Sequence, residues 1–421
     1  MTTKPFPHPR GGPSFWRSSP GELDDYRSPG GVPSETDIAI IGGGFSGDSL
    51  VTHLLSSSEA EGKSILVLEA RELCSGATGR NGGHSKPDAY KMTSYLASKF
   101  GLAAAAEVAD FELANIAAVE EFVRASGADC DFILTRAVDV QLSESDNASL
   151  KAGYDRLIDA GVESTKSVFY MHGKDAETGI NLQTNTPVLS ISPRQEERHW
   201  VLMTQRGIVR AKQVIMATNA YTAALLPEYH SKIIPYRAIC SRIVIPSTPP
   251  LLPNTYAIRF NEWDFDYLIP RPDGSIVVGG ARRIYLKRLE DWYGNVNDED
   301  LIGRAHHYFD GYMQRHFRGW ENSNARTDQV WTGIMGYSSD RLPRIGRIPG
   351  RDNMFIMSGF TGHGMPQVFL AAKGTAQMAL IGCSYADSKL PRVFEETQER
   401  LSSTENLVMD LYDKLPPDAK L

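Results

Sequence analysis

Cysteine is scarce in this chain: Cys74, Cys130, Cys240 and Cys383 are the four in 421 residues. They lie far apart, and none forms a CxxC or a Cys/His pair at zinc spacing. That excludes a disulfide framework and a structural zinc site, and no metal is expected. Long apolar runs are missing too. Nothing approaches the roughly 18 consecutive apolar residues of a membrane-spanning helix, so a soluble protein without a membrane partner is expected. Basic charge is in deficit, with Lys plus Arg 44 against Asp plus Glu 51 and a formal charge of -7. Without a Lys/Arg stripe the chain lacks the electrostatic footprint of a nucleic-acid binder. Internal repeats are absent. The composition, 41% hydrophobic and 23% charged, excludes a wholly disordered, collagenous or coiled-coil chain. The length suggests two or three units of roughly 150 residues, or one large fold with interleaved halves.

Residues 1–35 form a Pro/Gly/Ser-rich arm interrupted by Phe15, Trp16 and the cluster Leu23 to Tyr26. It carries no apolar core of a secretory signal. Two readings stand: a flexible tail, or an arm docked on the body through its adjacent aromatics.

The stretch that follows carries most of the information. Asp37-Ile38-Ala39-Ile40-Ile41 is a continuous apolar run of the kind a buried parallel strand shows. It leads into Gly42-Gly43-Gly44-Phe45-Ser46-Gly47, then into a helical pattern with Leu50, Val51, Leu54 and Leu55 on one face. A second strand, Ile65 to Leu68, ends at Glu69. In such a unit Gly42 permits a tight turn, Gly44 lets the backbone approach a pyrophosphate, and Gly47 lets helix and strand pack closely. The helix N-terminus offers free N–H groups and a positive dipole end. Glu69, 22 residues after Gly47, is placed to accept hydrogen bonds from an adenosine ribose. Asp48 is out of character. An acid there suits the helix dipole, yet unless it points outward it competes with a bound pyrophosphate for the same field.

Further along, helical spacing spans Ala103 to Ala125 with Gly127 as its stop. Phe132 to Gln141 reads as a strand and Lys151 to Asp159 as a helix. Leu182 to Ile191, Trp200 to Thr204 and Ile208 to Arg210 read as short strands of a meander, and Gln213 to Thr218 as another apolar strand. Ile239 to Ile245, Tyr256 to Arg259, Tyr267 to Pro270 and Ile276 to Gly279 suggest an antiparallel sheet, with Pro272-Asp273-Gly274 as a hairpin turn. Leu301 to Tyr312 is expected to be helical. Met354 to Ser358 is a final buried strand, followed by the glycine-rich loop 359–364 and a helix from about Pro366 to Ile381.

The turn IIGGGFSG with Glu69, followed by Ser75-Gly76-Ala77-Thr78-Gly79-Arg80-Asn81-Gly82-Gly83-His84, resembles the FAD-dependent D-amino-acid oxidase superfamily. The branch is that of sarcosine oxidase and gamma-glutamylputrescine oxidase, especially its fungal members. Ala217-Thr218-Asn219-Ala220, Trp331 to Gly346, and Gly359-Phe360-Thr361-Gly362-His363-Gly364 extend the resemblance over most of the chain. It implies an α/β fold: a Rossmann-like FAD-binding domain assembled from discontinuous segments, with an antiparallel-sheet substrate domain over the flavin. The division expected is an arm at 1–35, FAD-binding segments at 36–100, 182–232 and 331–400, substrate-domain segments at 101–181 and 233–330, and a tail at 401–421.

The resemblance also implies FAD contacts from Gly42, Gly44, Phe45, Ser46, Gly47, Glu69, Ala70, Arg71, Ser75, Gly76, Ala77 and Thr78. Val188, Ala217, Thr218, Asn219, Gly359, Gly362, Gly364 and Met365 belong to the same set. So do Arg80, Asn81, Gly82 and Gly83, and the loop Ala77 to Gly83 has the small residues a backbone lying against a cofactor requires. Arg80 and Asn81 are candidates to hydrogen-bond phosphate or ring oxygens. The second glycine loop opens the last helix, whose dipole favours negative charge on a reduced flavin.

The implied chemistry is hydride transfer from a C–N bond to flavin, hydrolysis of the imine, and reoxidation by O2 to H2O2. The partners are then an amine or amino-acid-like small molecule and O2. His363 is expected near the flavin ring, with a buried structural histidine as its alternative. Tyr267, Arg271, Arg282 and Trp331 are candidates for the substrate side. Sarcosine oxidase has a Lys three residues after the GHG histidine, where this chain has Pro366, and a flavin-linking Cys where this chain has Gly333. Noncovalent FAD is therefore expected, and a simple N-methyl amino acid is not the expected substrate.

One segment departs further. Tyr170 to Gly179 leads directly into the strand at Leu182, and looks too short for the packed crossover helix a parallel strand needs. A shortened, impaired FAD domain is one expectation. The alternatives to an amine oxidase are an oxidoreductase of a fungal specialised-metabolite pathway and a flavin-binding remnant. Finally, Ala419-Lys420-Leu421 is a variant of the peroxisomal address, and a peroxisomal location is expected, otherwise cytoplasmic.

Overall fold

The run at residues 38–40 is apolar because it lies at the centre of a sheet covered on both faces. In the computed structural model β1 (Glu35–Ile41) has Ile38, Ala39 and Ile40 at most 1% exposed. The structure describes residues 5–88, 91–134, 137–141, 180–194, 199–245, 252–261 and 264–413, with Ala152, Leu157, Asp159 and Ala160 between them. The segments at Lys151–Asp159 (largely), Tyr170–Gly179 and Ala419–Leu421 lie outside the described residues.

Strand β1 is flanked by β2 (Ile65–Leu68) and β7 (Gly207–Met216), both parallel to it. The sheet extends through β4 (Ile180–Gln183) beside β2 and β14 (Met354–Ser358) beside β7, again parallel, and ends at the antiparallel β13 (Arg344–Arg347). Parallel neighbours require crossovers over the sheet face. Helix α1 (Phe45–Leu55) makes the first of these, burying Leu50 and Leu54 against Ile38 and Ile40. On the same face lie α2 (Lys91–Phe100), α3 (Leu102–Ser126) and α4 (Val368–Ile381). Helix α3 stops at Gly127, whose φ of 51° is left-handed, the conformation glycine adopts at little cost. The opposite face is covered by a meander, β5 (Val188–Arg194) and β6 (His199–Thr204) running into β7, with Trp200, Leu202 and Tyr229 in its core.

The second sheet has the order β12 (Arg326–Ser338), β8 (Ile233–Val244), β11 (Ile276–Gly279), β10 (Phe265–Pro270), β9 (Thr255–Arg259), β3 (Ala137–Gln141). The first five are antiparallel: β8, β9, β10 and β11 as expected, with β12 an addition to the expected set, and β3 adds a parallel edge. Gly274, with φ 80°, closes the 272–274 hairpin turn. Among the described residues no helix is long and apolar enough to cross a membrane.

Several expectations need correction. Ile208–Arg210 and Gln213–Thr218 are one strand, β7. Its first half pairs with β6 at the solvated edge of the meander, and from Arg210 on it pairs with the buried β1. Arg210 and Lys212 interrupt the apolar pattern without interrupting the hydrogen bonds. Leu301–Tyr312 is not one helix but a 3₁₀ stretch, Gly303–Phe309, and a short helix, Tyr312–His316, separated at the left-handed Gly311. The buried Asp266 carboxylate explains the break, accepting from the Tyr308 hydroxyl (2.6 Å) and the Tyr312 hydroxyl (2.9 Å). The expected domain boundaries also shift. Helix α3 packs on the first sheet's helical face, and β12 belongs along its length to the second sheet. The arm is docked: Phe15 and Trp16 pack with Cys240, Val277, Tyr267 and Trp331.

Candidate cofactor site

The glycines after β1 serve different ends. Gly42 has φ 107°, and a Cβ there would sit 2.7 Å from the Ala217 carbonyl oxygen. At Gly47 a Cβ would run into the Gly42 carbonyl. Both are needed for backbone to pass backbone. Gly44 is different, since an added Cβ would meet only the Thr78 side chain, at 3.0 Å for Oγ1. That Oγ1 accepts from Phe45 N at the start of α1 (2.9 Å). Across the turn, the Glu69 carboxylate accepts from Gly43 N (2.7 Å) and Arg71 N (3.0 Å). Burial pushes its pKa up, against the pull of those amides and of Arg71.

These groups converge on one cavity, partly open to solvent. Of the residues expected at FAD, Gly42, Gly44, Phe45, Ser46, Glu69, Ala70, Arg71, Gly76, Ala77, Thr78, Val188, Ala217, Thr218 and Asn219 line it. Sequence reasoning missed Phe6, Cys74, Pro187, Tyr221 and Ile334, among others on the wall. None belongs to a motif, and the approach of Tyr221 depends on a turn only the fold reveals. The Tyr221 hydroxyl, on the cavity wall, is buried without a hydrogen-bond partner, and buried polar groups ordinarily find one. Together with the bare backbone at Gly44, it fits a cofactor that brings its own hydroxyls and phosphates. Asp48 does not point outward: its carboxylate accepts from the Cys74 thiol (3.2 Å), and burial pushes its pKa up to about 7.

Other expected contacts do not line this cavity. Arg80 is spent elsewhere. Its guanidinium lies 3.1 Å from Asp298 and donates to the carbonyls of Ser75, Thr332 and Gly12, because a buried cation requires a counter-charge and acceptors. The Asn81 amide donates to the Ala77 and Thr78 carbonyls and its oxygen accepts from Gly83 N, which shapes the loop. Gly82 packs on the Tyr267 ring and Gly83 on Trp16. The second glycine loop runs along β12: Thr361 N donates to the Gly336 carbonyl (2.7 Å), and Gly362 faces Met335 and Tyr337. Asn219 joins the two glycine regions, its Oδ1 accepting from Gly359 N (3.1 Å). Gly364 packs on Phe360, and the Met365 carbonyl accepts from Asn115. Helix α4, which follows this loop, begins at Val368, and two short helices, Gln398–Ser402 and Leu407–Asp413, come after it.

The candidate catalytic residues separate into different places. His363 borders a second, smaller cavity of about 320 Å³ with Met92, Arg341 and Gln367. Its Nε2 lies 3.0 Å from Glu112 Oε1. Burial pulls the imidazole pKa down, but Glu112 outweighs it and raises it. Tyr267 shares a hydrogen bond with Cys240 (3.1 Å). Arg282 donates to the Tyr337 hydroxyl (3.0 Å) and stacks over Phe265. Trp331 is 1% exposed and donates to the Arg80 carbonyl (2.9 Å). Arg271 pairs with Asp131 and stacks on Phe15 and Trp16, so it serves the arm.

A parallel sheet ending in a glycine turn over a cavity, joined to an antiparallel sheet, defines a dinucleotide-binding oxidoreductase. The chain belongs to the FAD dependent oxidoreductase family (DAO), whose sequence profile matches residues 37–169 and 170–378. FAD is therefore its cofactor. Among curated relatives, gamma-glutamylputrescine oxidoreductase of Escherichia coli (strain K12) is 23% identical over 381 residues, covering 81% of this chain and 83% of the relative. Glycine oxidase of Bacillus licheniformis is 24% identical over 366 residues, covering 81% and 91%. Two solved structures share the fold at a TM-score of 0.62. Glycine oxidase from Geobacillus kaustophilus is 17% identical and covers 87% of this chain and 99% of its own. L-amino acid deaminase from Proteus vulgaris, with its specific insertion deleted, is 16% identical and covers 90% and 99%.

Proposed function

We propose that the protein oxidises a C–N bond of an amine or amino-acid derivative, with noncovalent FAD as hydride acceptor and O2 closing the cycle as H2O2. The observation that carries this is the convergence of Gly42, Gly44, Glu69, Thr78 and Asn219 on one cavity beside the junction of the two sheets. FAD, when bound, supplies a two-electron acceptor for the C–N bond. The chain's own residues bind and orient. Glu69 holds a ribose, and the backbone at Gly44 and the Tyr221 hydroxyl receive the diphosphate and its linker. Arg282, a half-buried cation that donates to Tyr337 beside Gly362, holds the anionic end of the substrate. Trp331 and Tyr267 form an apolar wall that excludes water. His363 and Glu112 hold a proton behind the second glycine loop. Gly333 offers no thiol for a flavin link. Cys74 lines the cavity, but burial and the adjacent Asp48 raise its pKa and keep it protonated, which supports a noncovalent cofactor.

A whole site is favoured over a remnant because β4 lies in register beside β2, with Leu66 opposite Asn181 and Leu68 opposite Gln183. The test is the absorbance spectrum of purified protein before and after anaerobic addition of a panel of primary, secondary and amino-acid amines. Flavin bleaching by a member of the panel, and peroxide in stoichiometry with O2 consumed, is the expected result. Stoichiometric flavin that no amine bleaches overturns the proposal.

A further inference from the structure

The arm before β1 is wrapped over the cofactor loop 71–83. Three of its side chains donate to three of that loop's carbonyls: Ser14 Oγ to Gly79 (2.5 Å), Trp16 Nε1 to Asn81 (2.6 Å) and Arg17 to Leu73 (3.1 Å). Its backbone is held as well, Gly12 N donating to the Asp298 carbonyl (2.9 Å) while the Gly12 carbonyl accepts from Arg80 (2.7 Å). The approach is close enough to demand glycine, since a Cβ at Gly12 would lie 2.5 Å from the Glu299 carbonyl oxygen. Phe15 sits between the guanidiniums of Arg242 (4.8 Å) and Arg271 (4.9 Å), a half-buried cation–π pair that pins it. Further towards the start of the chain, Phe6 and Pro7 form part of the wall of the cofactor cavity, beside Glu69 and Arg71.

A flexible tail needs none of this, and the arm touches both the loop and the cavity. We propose that residues 5–17 are a strap belonging to the cofactor site: they close its mouth at Phe6 and hold the 71–83 loop in its binding shape, so that FAD leaves only when the strap lifts. The inference rests on the FAD assignment of that cavity. Loop carbonyls satisfied by the strap stay buried only while it is docked, and ligand and strap then stabilise each other by linkage.

The test has two parts. Trypsin digestion of the intact chain, with and without FAD, reads cleavage after Arg10 and Arg17; the strap predicts at least tenfold slower cleavage when FAD is bound. In Trp16→Ala and Gly12→Ala, FAD release on dilution, followed by recovery of flavin fluorescence, is expected to be at least tenfold faster than in the intact chain. Cleavage at equal rates with and without FAD overturns the strap, even if neither variant folds. Release within twofold of the intact chain overturns it too, including where the variants only lower the melting temperature of the apoprotein. An intact chain that takes up no FAD instead defeats the function proposed above, a result distinguishable from either.

Discussion

At Gly44 and Gly47 one residue type does opposite work, and substitution separates the two. Gly47→Ala drives a methyl into the Gly42 carbonyl, so it is expected to cost about 1–3 kcal/mol of stability, measured by urea unfolding of apoprotein. Gly44→Ala meets only the movable Thr78 side chain. Its apoprotein should melt normally, while the FAD dissociation constant rises about tenfold or more, a loss of about 1.4 kcal/mol, measured by flavin fluorescence titration. Asp48 yields a pH prediction. Burial raises its pKa from 3.8 to about 7, partly opposed by the Cys74 thiol, so the folded state binds the proton more tightly than the unfolded state. Stability therefore falls as pH rises through that window. Asp48→Asn should remove this component of the slope and stabilise the apoprotein at pH 8, read as melting temperature against pH. The glycines and Glu69 were legible in sequence because a strand–turn–helix unit prescribes where they go, whereas Thr78 came only through the resemblance of the 75–84 stretch. Arg80 was not: its partner Asp298 is 218 residues away, and nothing local records that a guanidinium turns towards it.

Elements with a single strong period could be read directly. The helix at 102–126 and the strand at 354–358 needed only spacing and a glycine stop. Strand β7 was harder, because one strand with one wet edge and one dry edge has two hydropathy patterns. The 303–316 region failed because side-chain hydrogen bonds to Asp266 compete with helical spacing. Between elements, Glu112 on α3 also accepts from Gln367, just before α4, and from Asp88 N. With Glu112→Gln the imidazole of His363 loses the carboxylate that raises its pKa, so its titration midpoint should fall, as read from the histidine ring-proton shifts by NMR. The sign follows from linkage: stability contributed by a raised histidine pKa is present below about 6.5. It is lost as pH rises through the folded-state value, and the variant should lack that loss.

For the whole molecule, the joint between the two sheets is electrostatic at its centre. Asp298 is 1% exposed and meets Arg71 at 2.9 Å and Arg80 at 3.1 Å. Asp298→Ala leaves two buried cations uncompensated and is expected to cost about 3–5 kcal/mol, seen as an earlier denaturant midpoint. The two-sheet architecture was legible from the order of motifs. The exact division was not, since a strand such as β12 declares its sheet through its neighbour and not through its own composition.

The position of β14 has a consequence for synthesis. The central sheet gains this strand only after residue 354 has been translated, yet β7, which it pairs with, is complete at residue 216. A nascent chain emerging from the ribosome therefore carries a half-built edge until residue 354 is made, with the backbone N–H and C=O groups of Val214 to Met216 unanswered on that side. The cavity wall itself is not complete until Ile334, and chaperone demand should peak late in translation.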